Sequence, residues 1–285
     1  MSTPYAEVIG DPVAQSKSPA IHRFWLEKLG IDADYRATQV SADQVADYLA
    51  ERRADPDWRG CNVTMPLKQA VQEHLDKIEE PAASIGAINT IYPAGNRLLA
   101  GTSTDGAGFL EPLTQELNAP HLFRMARILG AGGAARAIAH ALAAENFTLV
   151  VAARRTEQAE ILLADLPGQA QHHVVPLDHF ADRTDFPFDD REGLLDLVVN
   201  ASPLGMRGKP PLAFDWSHAP PGAIAYDIVT DPLETEFLRA AREAGHETVD
   251  GLAMLIGQAA QAFRIFFGQP APRQHDRELR AMLTS

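Results

Sequence analysis

The chain has 285 residues, of which 46% are hydrophobic and 22% are charged, so it can bury a core and is not intrinsically disordered. At about 150 residues per domain, this length predicts one large domain or two ordinary ones. The 25 basic and 38 acidic side chains give a net charge of −13. A surface that acidic disfavours binding to nucleic acid or to anionic membranes.

The cysteine count and the absence of long apolar stretches bear on the compartment. Cys61 is the one cysteine, which excludes an internal disulfide and every metal motif that needs several cysteines. The N-terminal sequence has no basic segment followed by an apolar one, and no stretch approaches the ~18 apolar residues of a membrane span. We therefore expect a cytoplasmic globular protein.

Short apolar stretches alternate with helical patterns through the first hundred residues. The predicted strands are Tyr5–Gly10, Tyr35–Val40 and Gly60–Thr64, followed by a hairpin of Ala87–Pro93 and Leu98–Gly101. The first predicted helix is capped by Ser18, has Pro19 in its first turn and is stopped by Gly30, and the second is opened by Ser41. A third helix is predicted after Pro66, with Leu67, Ala70, Val71, Leu75 and Ile78 on one face.

A second block begins after Asp105. It opens with a predicted helix Gly108–Leu117 and ends with a helix whose apolar stripe includes Leu252, Ile256 and Phe263. The predicted strands, with helices between them, are Met125–Leu129, Thr148–Ala152, Leu195–Ala201 and Ala223–Val229. An acidic surface loop is predicted at Asp182–Arg191. Such alternation predicts an α/β fold with a parallel, doubly wound sheet. Two α/β domains account for the whole pattern.

A glycine cluster lies between a predicted strand and a predicted amphipathic helix. Residues 130–135 read Gly-Ala-Gly-Gly-Ala-Ala, the G-x-G-x-x-A form of the dinucleotide-binding fingerprint. Gly130 permits the tight turn, Gly132 lets the backbone approach a pyrophosphate, and Ala135 allows close helix packing. The helix N-terminus offers N–H groups to the phosphates. The alternative is a purely structural turn.

The end of the next predicted strand favours one cofactor. An NAD site usually has an acidic residue there, about 20 residues past the glycines, to hold the ribose hydroxyl. Here the chain has Arg154, Arg155 and Thr156 instead. Because guanidinium groups pair with phosphate through a planar fork, NADP is favoured over NAD. The alternative is a solvated basic corner.

Four polar motifs in the first third each follow a predicted strand. They are Ser16-Lys17-Ser18-Pro19, Asn62-Val63-Thr64-Met65-Pro66-Leu67-Lys68, Ala87-Ile88-Asn89-Thr90 and Ser103-Thr104-Asp105-Gly106. Each alone has a structural explanation, such as a helix cap or a turn. Because ligands gather beyond the carboxyl ends of strands in α/β sheets, the four together indicate a site. Their hydroxyls and amides, with Lys68 and Asp105, suit a polyhydroxylated carboxylate substrate and proton transfer by a Lys–Asp pair.

The assembled pattern resembles the shikimate dehydrogenase family over essentially the whole chain. Further matching motifs are Asn200–Met206, Asp231–Thr235 and Asp250–Phe263. The resemblance implies an enzyme that reduces 3-dehydroshikimate to shikimate with NADPH, in aromatic amino-acid biosynthesis. It also implies a substrate-binding domain at residues 1–105, completed by C-terminal helices at 251–285, and an NADP-binding Rossmann domain at 106–250.

The family's functional residues map onto this sequence one by one. Ser16 and Ser18 would hold the substrate carboxylate, Lys68 would be the acid/base with Asp105 beside it, and Thr64, Asn89, Asp105 and Gln258 would contact the ring hydroxyls. Gly130, Ala131, Gly132, Gly133 and Ala134 would cradle the pyrophosphate, Arg154, Arg155 and Thr156 would bind the 2′-phosphate, and Glu80, Ile228 and Gly251 match positions near the cofactor.

Three positions depart from the family pattern. Ser103 stands where many members have Asn, Arg154 stands where Asn is common, and Thr230 stands where a substrate-contacting Tyr is usual. The change at Thr230 leaves two activities open: biosynthetic shikimate dehydrogenase, or a catabolic quinate/shikimate dehydrogenase. A third alternative is a non-catalytic NADP-binding regulatory protein on the same fold. A monomer and a homodimer are both compatible with the sequence.

Several reactive residues have plainer explanations. Cys61 lies in an apolar strand, which is typical of a small buried hydrophobe rather than a nucleophile. His172 and His173 have no third ligand nearby, so we interpret them as a loop pair and expect no metal site. The resemblance also implies an active-site cleft between the two domains. Gln258 lies beside core residues, so it either faces that cleft or is hydrogen-bonded inside the protein.

Overall fold

The structure is a computed structural model that describes residues 3–164, 166–186, 188 and 193–284. The chain divides into two compact units. The first unit is Met1–Gly108 together with Ile256–Ser285, and the second unit is Phe109–Leu255.

Twelve strands occur in the described residues. They are β1 (Tyr5–Gly10), β2 (Asp34–Gln39), β3 (Trp58–Val63), β4 (Lys77–Ile78), β5 (Thr90–Pro93), β6 (Leu99–Thr102), β7 (Phe123–Leu129), β8 (Thr148–Ala153), β9 (His173–Pro176), β10 (Leu194–Asn200), β11 (Ile224–Asp227) and β12 (Glu247–Val249).

Ten α-helices occur in the same described ranges. They are α1 (Ser18–Leu29), α2 (Val45–Ala54), α3 (Ala82–Ile85), α4 (Asp105–Leu110), α5 (Thr114–Asn118), α6 (Gly133–Ala144), α7 (Thr156–Ala164), α8 (Glu236–Glu243), α9 (Gly251–Phe267) and α10 (Asp276–Thr284).

The first unit contains a six-stranded sheet in the order β2-β1-β3-β5-β6-β4, in which only β5 runs against the others. All six residues of β1 are buried, as expected of a central strand with both faces covered. Trp58 and Ile91 lie in the core on one side of the sheet, and Tyr35 and Phe266 lie in a second apolar cluster. The carboxyl ends of β1, β3 and β6 therefore share one edge of the sheet.

The second unit contains an all-parallel sheet in the order β12-β11-β10-β7-β8-β9. Numbered along the chain, this is the 3-2-1-4-5-6 order of a Rossmann fold. Helix α6 packs on it through Ala135, Ile138, Ala139 and Leu142, which are all fully buried, as the sequence predicts. The α/β fold class is confirmed, with a Rossmann-type second unit.

The start of α1 differs from the prediction. Ser18 is the first residue of the helix and not its cap, because Lys17 occupies the cap position without a side-chain bond. The hydroxyl of Ser16 instead accepts the N–H of Ser18 at 3.3 Å. The other end is as predicted: Gly30 has φ +62 and closes the helix by donating its N–H to earlier carbonyls.

The predicted α-helix after Pro66 is wrong, since residues 65–69 form turns. Residues Ala70–His74 form a 3-10 helix, and Lys77–Ile78 form the edge strand β4 beside β6. Tertiary pairing decides this segment: the N–H of Asp76 donates to the carbonyl of Leu99, at 3.1 Å. Two residues of strand pairing carry no periodicity that a sequence pattern reveals.

Two further predictions are wrong, and a third concerns a loop of which only some residues are described. The helix Gly108–Leu117 is interrupted by a 3-10 turn containing Pro112, whose ring nitrogen cannot donate to an α-helical ladder. His173 opens strand β9 rather than a loop, because residues 173–176 pair with β8. Of the predicted loop Asp182–Arg191, residues 182–186 and 188 form no helix or strand, and the others lie outside the described residues. Among the described helices, none is long and apolar enough to cross a bilayer.

Candidate active site

A buried lysine–aspartate pair lies at the edge of the first unit's sheet. Lys68 follows β3, and its Nζ donates a hydrogen bond to Oδ2 of Asp105, the first residue of α4. Their side chains are only 15% and 7% exposed. An ion pair so removed from water is weakly screened, so the attraction between its two charges is strong.

Asn89 joins this pair to its surroundings. Its Nδ2 donates to Oδ1 of Asp105 at 2.8 Å and to Oγ1 of Thr104 at 2.9 Å. Its Oδ1 accepts the backbone N–H of Thr104 at 2.9 Å and the hydroxyl of Thr90 at 2.8 Å. Asn89 is 2% exposed, so every polar end of this amide has a partner inside the protein. Thr104 and Thr90 lie within the sequence motifs, but the sequence predicts no role for either.

Gln258 reaches the same cluster from α9. Its Oε1 lies 3.4 Å from Nδ2 of Asn89, and the residue is 8% exposed. Helix α4 approaches α9 so closely that a Cβ on Gly108 would lie 2.4 Å from the backbone nitrogen of Gln258. Gly108 is therefore needed for this placement. The sequence contains a hint in the Asp-Gly-Ala-Gly stretch, but a pattern cannot tell which helix comes close.

Ser16, Ser18 and Thr64 lie at the same edge of the sheet, because they follow β1 and β3. The N–H of Thr64 donates to the carbonyl of Ile9 at 2.9 Å. Ser18 is buried and the other two are half-buried. The three side chains supply hydroxyl groups at the same edge as the cluster of Lys68, Asp105, Asn89 and Gln258.

The glycine turn of the second unit is built to expose backbone N–H groups. Gly130 has φ +125, and a Cβ there would lie 2.8 Å from the carbonyl oxygen of Ala201, so no other residue fits. Gly132 is the N-cap of α6, has no side-chain capping bond, and a Cβ there would meet no atom within 4 Å. Gly133 and Ala134 begin the helix and Ala131 is half-buried in the turn. This end of α6 fits a pyrophosphate.

The end of β8 carries the predicted phosphate-binding arginines. Arg154 and Arg155 are exposed, and Thr156 opens α7. In the described part of the structure neither arginine pairs with a carboxylate, so both guanidinium groups remain available to a phosphate. This charge, placed beyond the strand next to the glycine turn, fits a 2′-phosphate.

The remaining predicted residues are dispersed. Glu80 belongs to the first unit, is exposed, and accepts the hydroxyl of Ser84 at 2.8 Å. Ile228 and Gly251 belong to the second unit, where a Cβ on Gly251 would lie 2.6 Å from the carbonyl oxygen of Ile228. Thr230 follows β11 and is half-buried, whereas the other predicted substrate residues belong to the first unit.

A buried hydrogen-bond network at the ends of β10 and β11 is not predicted by the sequence pattern. Asn200 donates to Oδ1 of Asp227 at 3.0 Å and accepts the hydroxyl of Ser202 at 2.8 Å, while Thr235 donates to Oδ2 of Asp227 at 2.6 Å. Burial raises the pKa of Asp227. These bonds fasten the two loops that leave the strands beside the glycine turn. The family motifs Asn200–Met206 and Asp231–Thr235 contain Asn200, Ser202 and Thr235, whereas Asp227 lies outside both.

The residues set aside in the sequence behave as inert groups. Burial raises the pKa of the Cys61 thiol, which disfavours the nucleophilic thiolate. His172 accepts the N–H of Leu149 at 3.2 Å, and burial lowers its pKa. Within the described ranges no three His, Cys, Asp or Glu side chains converge as metal ligands.

Known proteins are similar to this chain over its full length. Profiles described as the shikimate dehydrogenase substrate binding domain and the shikimate 5'-dehydrogenase C-terminal domain match residues 8–91 and 251–279. The chain is 49% identical to a shikimate dehydrogenase (NADP(+)) of Sphingopyxis alaskensis, with 100% of this chain and 98% of that protein covered.

Two similar proteins have been solved with bound ligands. Shikimate 5-dehydrogenase of Thermus thermophilus, in complex with NADP(H) and shikimate, is 34% identical with a TM-score of 0.79, and 98% and 99% of the two chains are covered. Quinate dehydrogenase of Corynebacterium glutamicum in complex with NAD is 30% identical with a TM-score of 0.80, over 98% and 99% of the chains. The predicted resemblance is confirmed: the chain belongs to the shikimate dehydrogenase family.

Proposed function

We propose that this protein catalyses the reversible, NADPH-dependent reduction of 3-dehydroshikimate to shikimate, a step of aromatic amino-acid biosynthesis. The first domain, with the C-terminal helices, binds the substrate, and the Rossmann domain binds NADP. Membership of the family, together with the buried pair of Lys68 and Asp105, supports this assignment.

The chain's own chemical task is to move one proton. Reduction of the C3 ketone develops negative charge on its oxygen, and the bound cofactor supplies the hydride. Lys68, held as an ammonium group by Asp105, donates the proton to that oxygen. In the reverse direction Lys68 is neutral and accepts the hydroxyl proton. Asp105 stays a carboxylate throughout and compensates the lysine's charge.

The remaining polar residues hold the substrate. Ser16 and Ser18 bind its carboxylate with their hydroxyl groups, since Ser18 lies in the first turn of α1, where the helix dipole favours an anion. Thr64, Asn89, Asp105 and Gln258 contact the ring hydroxyls. Thr230 contributes a shorter hydroxyl than the tyrosine usual in the family, and so leaves more space.

The cofactor is held mainly by the backbone. Gly130, Ala131, Gly132, Gly133 and Ala134 bind the pyrophosphate through the uncapped N-terminus of α6. Arg154, Arg155 and Thr156 bind the 2′-phosphate, and the acidic residue that NAD sites usually carry there is absent from these three positions. Ile228 and Gly251 contribute near the cofactor, as does Glu80.

One assay tests the proposal. Purified protein is given shikimate or quinate with NADP or NAD in all four combinations, and formation of reduced cofactor is followed by absorbance. We expect shikimate with NADP to have the highest kcat/KM. Preference for quinate with NAD would replace the biosynthetic assignment by the catabolic one. Absence of turnover despite NADP binding would indicate a regulatory protein.

A further inference from the structure

A chain of buried side-chain hydrogen bonds leads from the aromatic core of the first unit to Asp105. Tyr35 donates to Oδ1 of Asn62 at 2.6 Å, Asn62 donates to Oγ1 of Thr90 at 3.1 Å, Thr90 donates to Oδ1 of Asn89 at 2.8 Å, and Asn89 donates to Oδ1 of Asp105 at 2.8 Å. None of the five residues is more than 6% exposed.

The direction of this chain is determined by its two amides. Oδ1 of Asn62 can only accept, so the phenol of Tyr35 must donate to it. The Nδ2 group of Asn62 also donates to the backbone carbonyl of Asn89 at 3.2 Å. Reversing that amide would set oxygen against oxygen. Every hydrogen in the chain therefore points toward Asp105, and bonds aligned in this way strengthen one another.

The first member of the chain is itself held in place. The ring of Tyr35 stacks on that of His22, with centroids 4.0 Å apart and planes 5° from parallel. Both side chains are fully buried. Phe263 and Phe266 pack around the same histidine. The phenol hydroxyl therefore has little freedom to turn away from Asn62.

We propose that Tyr35 and Thr90 are positioning residues for proton transfer, acting through Asn89 on the carboxylate of Asp105. This inference rests on the proposed function. Asp105 has two oxygens: Oδ2 accepts from Lys68, and Oδ1 accepts from Asn89. The bond to Asn89 prevents the carboxylate from rotating, and that in turn sets the position of the lysine's proton.

The expected effect is moderate, because Asn89 has other restraints. The backbone N–H of Thr104 also donates to Oδ1 of Asn89 at 2.9 Å, and Nδ2 of Asn89 donates to Oγ1 of Thr104 at 2.9 Å. Losing the hydroxyl of Thr90 leaves the amide held by Thr104. Losing that of Tyr35 removes the anchor one step further away. The effect should therefore fall from Thr90 to Tyr35.

The test compares kcat and KM for shikimate oxidation in four variants. We expect Thr90→Val to lower kcat about tenfold and Tyr35→Phe about fivefold, with KM for shikimate within about twofold of the unmodified enzyme. Thr90→Ser keeps the hydroxyl and should restore most of kcat. The matched control is Tyr48→Phe: this buried phenol in the same unit donates to Oε1 of Glu7 at 2.7 Å, outside the chain.

Two kinetic outcomes would overturn the proposal. One is a normal kcat in both Tyr35→Phe and Thr90→Val. The other is a loss of kcat in Tyr48→Phe as large as that in Tyr35→Phe, which would show a general effect of destabilising the unit. Because Tyr35→Phe removes one oxygen and keeps the ring, it provides the test even where Thr90→Val does not fold.

A second measurement separates this inference from the proposed function. The rate at which acetic anhydride labels Lys68 is measured by mass spectrometry, relative to the exposed Lys209. We expect faster labelling of Lys68 in Thr90→Val and Tyr35→Phe, since the ammonium is less firmly held, and no change in Tyr48→Phe. If the unmodified protein oxidises no shikimate, the proposed function fails and this labelling alone decides: an unchanged rate overturns the positioning role.

Discussion

The two units hold their functional groups in opposite ways. In the first, Asp105 and Asn89 are buried, Lys68 is half-buried, and the three are joined by hydrogen bonds, so the cluster keeps its geometry without a ligand. In the second, the predicted cofactor residues are backbone N–H groups at Gly132 and exposed guanidinium groups at Arg154 and Arg155.

This contrast follows from what each group must do. Proton transfer needs a charged pair at a defined position in a water-poor environment, where electrostatic interactions are strong and little reorganisation accompanies the reaction. Binding of a dinucleotide phosphate needs donors that meet the anion from solvent. Side chains that satisfy one another serve the first requirement, and an uncapped helix end serves the second. The predictions below test each side of the contrast.

The largest expected effect is on the first unit. Lys68→Ala should lower kcat by about 10² or more with a modest change in KM, because it removes the group that transfers the proton and leaves Asp105 buried without its cation. The matched control is Lys77→Ala, which removes an exposed lysine paired with Glu79 at 2.6 Å in the same unit. The measurement is steady-state oxidation of shikimate. A Lys68→Ala enzyme that kept most of its kcat would remove this residue from the mechanism.

How far the sequence predicts the molecule also differs between the units. The glycine turn was predictable because Gly130 is required by its own backbone conformation, with φ +125, which is local. The bond between Tyr35 and Asn62 joins residues 27 apart in the chain, and no pattern announces it. Residue types in the first unit were thus predictable, but their partners were not. Strands β4, β9 and β12 were missed because they are two to four residues long and are formed by pairing rather than by periodicity.

The second prediction concerns stability and the buried core of the first unit. Burial lowers the pKa of His22 to about 3, so the folded protein keeps this imidazole neutral. The unfolded chain binds a proton below about pH 6.5, so stability is fully present above that pH and falls as pH drops toward the folded value. At pH 5 the loss from this residue is about 2 kcal/mol.

His22→Phe should remove that loss while keeping a ring against Tyr35. The free energy of unfolding is measured by urea titration at pH 7 and pH 5, and the difference between the two pH values should shrink by about 2 kcal/mol in the variant. His179→Gln, which removes an exposed imidazole from the second unit, serves as control and should leave the difference unchanged. An equal difference in His22→Phe and the unmodified protein would contradict the assignment.

The third prediction tests the exposed cofactor-binding residues of the second unit. Arg154 and Arg155 should make NADP preferred over NAD by at least about tenfold in kcat/KM, equivalent to about 1.4 kcal/mol. Replacing both with Ala, or Arg154→Asp alone, should weaken NADP far more than NAD. Arg239→Ala removes another exposed arginine of the second unit, on α8, and should change neither. Equal use of both cofactors by the unmodified enzyme would refute the assignment.

The smallest expected effect concerns Thr230, the departure closest to the choice of substrate. Threonine keeps a hydroxyl but is shorter than the tyrosine usual in the family, so water or a bulkier ligand gains space. Quinate carries an extra hydroxyl on a saturated, puckered ring, so this space would favour its binding. Against this, the seven residues predicted to bind shikimate are all present: Ser16, Ser18, Thr64, Lys68, Asn89, Asp105 and Gln258.

One weakened hydrogen bond is worth about 1 kcal/mol, too little to reverse a preference set by seven groups. Shikimate should therefore remain the better substrate, and Thr230→Tyr should lower its KM a few-fold with kcat nearly unchanged. Thr230→Val is the matched variant, because it keeps the shape of threonine and removes the hydroxyl: a further rise in KM would show that the hydroxyl still binds substrate, whereas an unchanged KM would leave only the space. A higher kcat/KM for quinate in the unmodified enzyme would instead mean that this space outweighs the seven groups.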